Sequence, residues 1–175
     1  MRSPDAQGGY KDILQQGNKL VAAGYCMYGS STQLVLTWGK GVHGFTLDPT
    51  IGAFILSHKN IKIPEDSKTI YSCNEGNYSL WDAPTKAFIE ECKNKPKPYS
   101  ARYVGSMVSD VHRTLLYGGI FLYPSDSKSK DGKLRLLYEA NPMSFITHIH
   151  ERSPIFLGSK RDVNRVLELY AKHNK

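Results

Sequence analysis

Disulfide chemistry has little to work with in this sequence. Its 175 residues hold three cysteines, Cys26, Cys73 and Cys92, odd in number and far apart. No C-x-x-C spacing occurs, which excludes a disulfide framework and a cysteine-based zinc site and leaves reduced thiols. Long apolar runs are missing too. The most apolar stretches, residues 20–28 and 115–123, are broken by glycines and are too short to span a bilayer. Residues 1–11 are polar and lack the apolar segment of a signal peptide. There is no internal repeat and no low-complexity segment. A cytoplasmic protein with no membrane partner is the expectation.

Acidic residues are the scarcer charge. Sixteen Asp and Glu face 23 Lys and Arg, for a net charge of +7 and a pI near 9.3. That surplus favours an anionic partner: nucleic acid, anionic lipid or a phosphorylated small molecule. Charge alone does not choose among them. Hydrophobic residues make up 40% of the chain, enough for a globular core and too many for a disordered one.

The pattern along the chain predicts a mixed α/β fold. Residues 1–9 read as a loose tail and residues 10–175 as one domain. Residues 10–16 fit a short helix. Residues 20–28, 33–38, 42–47 and 53–57 are β-branched or aromatic runs separated by Gly, Asp-Pro and Ser clusters, which predicts an antiparallel meander. Past Asn60 the texture changes. Residues 84–92 read as helix and 101–104 as a short strand. A helix opens at Gly105-Ser106, with Val108, Val111 and Leu115 on one face, and Gly118-Gly119 ends it. Residues 120–123 form a buried-looking strand and 125–132 a polar turn. Residues 134–144 read as a helix that Pro142 bends or ends. Ser159 and Asp162 form a capping pair for a last helix, whose apolar face is Val163, Val166, Leu167 and Tyr170. Strands alternating with helices argue for an α/β layer with a mixed sheet and flanking helices.

Two places could carry chemistry. At Arg102-Tyr103-Val104-Gly105-Ser106-Met107 a strand feeds a helix through a Gly-Ser turn. Free amides at a helix start attract an anion, and Arg102 adds a fork of donors suited to phosphate. The competing reading makes Ser106 only a cap and Arg102 only a surface charge. Further on, Tyr123, Lys133 and Arg135 flank the polar turn, with Glu139 one helical turn beyond Arg135. Lys133 and Arg135 could hold a second phosphate, and Glu139 could bind a metal or simply pair with Arg135. His148 and His150 would share a strand face, but no third zinc ligand accompanies them. His112 reads as a packed side chain and Asp110 as a first-turn acid. No aromatic-basic motif for nucleic acid is visible, so nucleic acid is not expected as a partner.

These same segments resemble fructose-1,6-bisphosphatase. The resemblance rests on Ala101-Arg102-Tyr103-Val104-Gly105-Ser106-Met107-Val108-Ser109-Asp110-Val111-His112-Arg113. Further blocks are Val21-Ala22-Ala23-Gly24-Tyr25, Tyr71-Ser72-Cys73-Asn74-Glu75-Gly76-Asn77, Tyr117-Gly118-Gly119-Ile120-Phe121-Leu122-Tyr123-Pro124 and Gly132-Lys133-Leu134-Arg135-Leu136-Leu137-Tyr138-Glu139. They run in the family's order. The resemblance implies an enzyme that hydrolyses fructose 1,6-bisphosphate to fructose 6-phosphate in gluconeogenesis, using Mg²⁺, as a homo-oligomer (a tetramer). By matching positions it implies that Asn74, Tyr103, Tyr123 and Lys133 hold the 6-phosphate. Arg102 reaches the 6-phosphate of a neighbouring subunit. Gly105, Ser106 and Met107 line the sugar, Leu134 and Arg135 belong to the same binding segment, and Glu139 is a metal ligand. Asn77 stands where some members carry a tyrosine.

Two departures accompany the resemblance. No Asp-x-x-Asp-Gly-Ser metal-binding stretch occurs, and the segment matching the family's amino-terminal half is absent. Asn141-Pro142-Met143-Ser144-Phe145 also runs almost directly into His148-Ile149-His150-Glu151-Arg152, where family members carry a further strand, so an internal deletion is expected near Ile146. The losses fall on the metal site rather than on phosphate anchoring. The expectation is therefore a family chain inactive by itself, with a non-catalytic sugar-phosphate-binding or regulatory subunit as the alternative.

Overall fold

A computed structural model describes residues 15–147 and 155–173. They gather into two compact units, residues 15–61 with 135–147, and residues 62–134 with 155–173.

The first unit is built on the expected meander. Strands β1 (Ala23–Met27), β2 (Gln33–Thr37), β3 (Val42–Asp48) and β4 (Ala53–Ile61) pair antiparallel in chain order. Alternation explains why they stay in register. Ala23 and Tyr25 lie opposite Thr37 and Val35, which lie opposite Val42 and Gly44. Those six residues are buried on one face, and a one-residue slip would turn all of them outward. Helix α3 (Asn141–Thr147) covers β1 and buries Met143 and Ile146. Strand β4 is longer than its sequence pattern and exposed along almost its whole length. Asp48-Pro49 makes the β3–β4 hairpin: the Thr50 amide donates to Asp48 Oδ1 at 2.8 Å and the Gly52 amide to the Asp48 carbonyl at 2.9 Å.

Ahead of α3, residues Leu136–Ala140 form one wide turn rather than the expected helix over 134–144. The Ala140 amide reaches five residues back to the Arg135 carbonyl at 2.9 Å. Pro142 is the physical reason. It has no N–H to continue the ladder, so it sits in the first turn of α3, where none is needed. It opens a helix instead of ending one.

The second unit holds a sheet in the order β6-β5-β7-β8. Strands β5 (Ile70–Ser72), β6 (Ser100–Ala101) and β7 (Ile120–Tyr123) are parallel, and β8 (Ile155–Gly158) runs antiparallel to β7. Helix α1 (Ala83–Asn94) connects β5 to β6, and helix α2 (Met107–Tyr117) connects β6 to β7. Helices α1 and α4 (Lys160–His173) pack together, and α2 packs on β7 and β8. Phe88, Ile89, Trp81, Ile120, Leu122 and Val166 form the centre of the core. Arg165 clamps α4 to α1 through both Glu91 oxygens, at 2.8 and 2.5 Å.

Helix signals behave as their chemistry requires. Asp82 caps α1 through the Thr85 amide at 3.0 Å. Ser159 and Asp162 bond each other at the start of α4, side chain to side chain at 2.8 Å. The inward face of α4 uses Val166 and Leu169, whereas the expected Leu167 is half exposed. Strand β6 is two residues long, because residues 102–104 leave the sheet to form the loop before α2. Gly118 and Gly119 end α2 with φ of 78° and 83°. They are irreplaceable on space as well: a Cβ on Gly118 would lie 2.3 Å from Ser67 Oγ, and one on Gly119 2.5 Å from the Ile70 carbonyl oxygen. The reading of residues 10–16 as helix falls mostly outside the described residues. The His148–His150 pair does so entirely.

Candidate functional site

Sheet topology gathers the expected anchoring residues. Strand β5 lies between β6 and β7, so its following connection runs to one side and the next crosses back to the other. In open α/β sheets a ligand crevice forms beyond the carboxyl ends of strands at such a reversal. Asn74 follows β5 by two residues. Arg102 and Tyr103 follow β6 directly. Tyr123 ends β7, and Lys133 lies at the close of the turn after it. Three neighbouring strand ends span only about 10 Å. All five residues therefore belong to one edge of one sheet.

Local bonds shape that edge. Asn74 accepts the Gly76 amide on its side-chain oxygen at 3.1 Å and caps the turn Glu75–Leu80. Asn77 sits on that turn and donates its amide to the Asn74 carbonyl at 3.0 Å. Tyr71 donates to Glu75 at 2.6 Å, and Lys93 pairs with the other Glu75 oxygen. Tyr103 is 40% exposed. Partial burial, then the nearby Tyr123, Asp110 and Cys73, push its phenol up, so it stays protonated and able to donate. Arg102 is exposed, and among the described residues its guanidinium meets only the carbonyl of its neighbour Ala101, at 3.3 Å.

Helix α2 carries a residue whose role spacing did not reveal. Asp110 is fully buried. Its carboxylate accepts the Val104 amide at 3.1 Å, the Gly105 amide at 3.2 Å and Arg113 Nη2 at 2.8 Å. Arg113 Nη2 also donates to the Arg102 carbonyl at 2.9 Å. Ser106 opens the helix without a side-chain cap bond. The anion at this helix start is thus the chain's own Asp110, tying down the loop that presents Arg102, Tyr103, Gly105, Ser106 and Met107. An acid eight residues beyond Arg102 gives no sequence signal of this, since it reads equally well as a first-turn acid facing solvent.

The turn after β7 is ordered by Asp126, another residue missed by the sequence pattern. Asp126 Oδ1 accepts the amides of Lys128 at 2.9 Å and Ser129 at 2.8 Å, and Oδ2 accepts Lys133 Nζ at 2.8 Å. The Lys133 ammonium holds this carboxyl below its ordinary range, and Asp126 in turn raises Lys133.

Leu134 closes the second unit, while Arg135 and Glu139 belong to the first. Glu139 Oε2 accepts the Arg135 amide at 2.7 Å and Oε1 accepts Arg135 Nη1 at 3.0 Å. The i, i+4 pair therefore forms. Both carboxylate oxygens are engaged, and no group of three metal-ligating side chains stands together among the described residues. The described residues do not by themselves fit a Mg²⁺ site. No helix among them is long and apolar enough to cross a membrane.

Comparison with known proteins adds a family to this geometry. A family model for the C-terminal domain of fructose-1-6-bisphosphatase matches residues 63–148, and one for its N-terminal domain matches residues 1–59. The two matches meet near Ile61, where the chain first passes from one compact unit to the other. The meander thus falls within the family's N-terminal domain model, so the represented half of the family's length reaches across the boundary between its two domains. Cytosolic fructose-1,6-bisphosphatase of Oryza sativa subsp. indica is 56% identical over 188 residues, covering 94% of this chain and 55% of its own length. That of Brassica napus is 57% identical over 189 residues, with the same coverage. The chain spans about half the length of the curated relatives it matches. A match of 188 positions on a 175-residue chain also means that the relative carries residues within the matched stretch that this chain lacks. Among solved structures, Leishmania major fructose-1,6-bisphosphatase in the T-state superposes with a TM-score of 0.89 at 45% identity, covering 97% of this chain and 62% of that one. Its holo form gives 0.84 at 48%, covering 90% and 59%. With both domain models matched in order and the fold shared, the chain belongs to the fructose-1,6-bisphosphatase family.

Proposed function

We propose that this chain supplies the sugar- and distal-phosphate-anchoring part of a fructose-1,6-bisphosphatase, the enzyme that hydrolyses fructose 1,6-bisphosphate to fructose 6-phosphate and phosphate in gluconeogenesis. The observation that carries the reading is the convergence of Asn74, Arg102, Tyr103, Tyr123 and Lys133 on one edge of the parallel strands. A phosphate there meets one ammonium, one guanidinium and neutral phenol and amide donors, a set suited to a dianion. Gly105 and Ser106 offer little side-chain bulk to a sugar ring, with Met107 beside them at the first position of α2, and Asn77 and Leu134 complete the binding set of the second unit. Among the described residues the Arg102 guanidinium engages no acidic side chain, which suits a reach into a neighbouring subunit of a homo-oligomer such as a tetramer. Cytoplasmic residence follows the cytosolic relatives.

Glu139 is the carboxylate that the resemblance assigns to Mg²⁺, and its engagement with Arg135 favours a second reading: a sugar-phosphate-binding or regulatory subunit without turnover. Calorimetry with fructose 6-phosphate tests the anchoring role, and no heat at millimolar ligand ends it. Phosphate release from fructose 1,6-bisphosphate with Mg²⁺ separates the two readings. The expected rate for the chain alone is at background, and robust turnover would overturn the non-catalytic one. Sedimentation velocity reports the oligomer.

A further inference from the structure

Lys133 is the one lysine among the anchoring residues, and it does not stand there alone. Its side chain is 40% exposed, while the Asp126 side chain beneath it is 3% exposed. The two behave differently for a physical reason. Asp126 is immobilised by its own turn: the Lys128 and Ser129 amides hold Oδ1, and the Asp126 and Ser129 backbones bond each other in both directions, at 3.2 and 3.0 Å. The Ser127 amide ties the turn to the Leu80 carbonyl at 3.0 Å. Among the described residues Oδ2 has one partner, Lys133 Nζ. A free lysine head would sample many positions on its four-carbon stem. This one is placed. An ammonium carries three donors. One goes to Asp126, and two remain for a ligand on the exposed side.

We propose that Asp126 is a positioning residue for the distal-phosphate site, holding the Lys133 ammonium where a phosphorylated sugar meets it already oriented. The inference rests on the anchoring role proposed above. It adds that an acid beside a phosphate site strengthens binding there by preorganisation, although its charge opposes the ligand's. The competing effect is simple repulsion, which predicts that removing the charge tightens binding. The sign of one substitution therefore decides.

Asp126→Asn keeps a carbonyl oxygen for the turn amides and removes the anionic partner of Lys133. In calorimetry with fructose 6-phosphate, affinity is expected to fall about tenfold. In a Lys133→Met background the same substitution is expected to change affinity by less than about twofold, because it acts through Lys133 alone. An effect of equal size in both backgrounds would mark a merely structural role and overturn the proposal. Unchanged or tighter binding by Asp126→Asn overturns it as well. No binding by the unaltered chain overturns the anchoring role, and this proposal with it. Should Asp126→Asn fail to fold, the unaltered chain still gives an answer. ¹⁵N NMR is expected to show an exchange-protected lysine ammonium signal that vanishes in Lys133→Met, and its absence refutes the pairing.

Discussion

The two sheets solve the burial problem in opposite ways. In the meander one face is buried under α3, and β4 stands exposed along its length. In the second sheet Ile120, Phe121 and Leu122 are consecutive and all buried, because helices cover both faces. A sheet covered on both faces exposes only its strand ends to ligand. The proposed anchoring residues sit at those ends, where the loops are shaped by two buried carboxylates rather than by apolar packing.

That contrast can be broken by mutation. Phe88→Ala removes a side chain that is 2% exposed and is expected to cost about 3–5 kcal/mol in denaturant unfolding. Phe54→Ser on β4, 41% exposed, is expected to cost less than about 1 kcal/mol. Equal costs would mean that β4 contributes as much to stability as the second core does. Asp110→Asn leaves Arg113 without its buried anionic partner and weakens the grip on two loop amides. A loss of about 3 kcal/mol is expected, with weaker fructose 6-phosphate binding seen by calorimetry. Unaltered stability would show that the loop holds itself.

Legibility followed the same division. The meander was readable because period-2 alternation and turn residues dictate it locally. So were the Ser159–Asp162 pair at the start of α4 and the Gly118-Gly119 stop, whereas the Asp82 cap of α1 was not. What could not be read was where polar side chains turn once a chain reverses. Asp110 lies inward because the loop ahead of it presents two unpaired amides. Asp126 lies inward because its own turn closes on it. The wide turn at Leu136–Ala140 escaped because a proline within an apolar-periodic stretch fits either a helix end or a helix start. The anchoring residues came from resemblance; the topology then explained why residues so distant in the chain lie at one edge.

Smaller effects sharpen the comparison. Asp126 has a folded-state pKa below its unfolded value, so it stabilises the fold above about pH 4 and loses that contribution as pH falls through its lowered pKa. Thermal melts of the unaltered chain and Asp126→Asn are therefore expected to differ at pH 7 and to converge under acid. A gap that persists below about pH 2 would assign the effect to packing. The thiols report the smallest difference. Burial pushes Cys73 and Cys92 in the second unit up to about 12, so iodoacetamide at about pH 8 is expected to leave both unmodified in the native chain. Cys26, only half buried on β1, is expected to react first. Equal labelling by mass spectrometry would show that the second core opens readily.

The glycine pair after α2 also sets a rule for insertions and deletions. With no slack between Tyr117 and Ile120, the rotational phase of α2 is locked to β7. One extra residue there would turn the helix by about 100° about its axis. Asp110, near the opposite end of that helix, would swing out of the interior and release the loop that carries Arg102. Length variation should therefore be absent at this corner and tolerated at the β3–β4 hairpin, where Gly52 has open space around it.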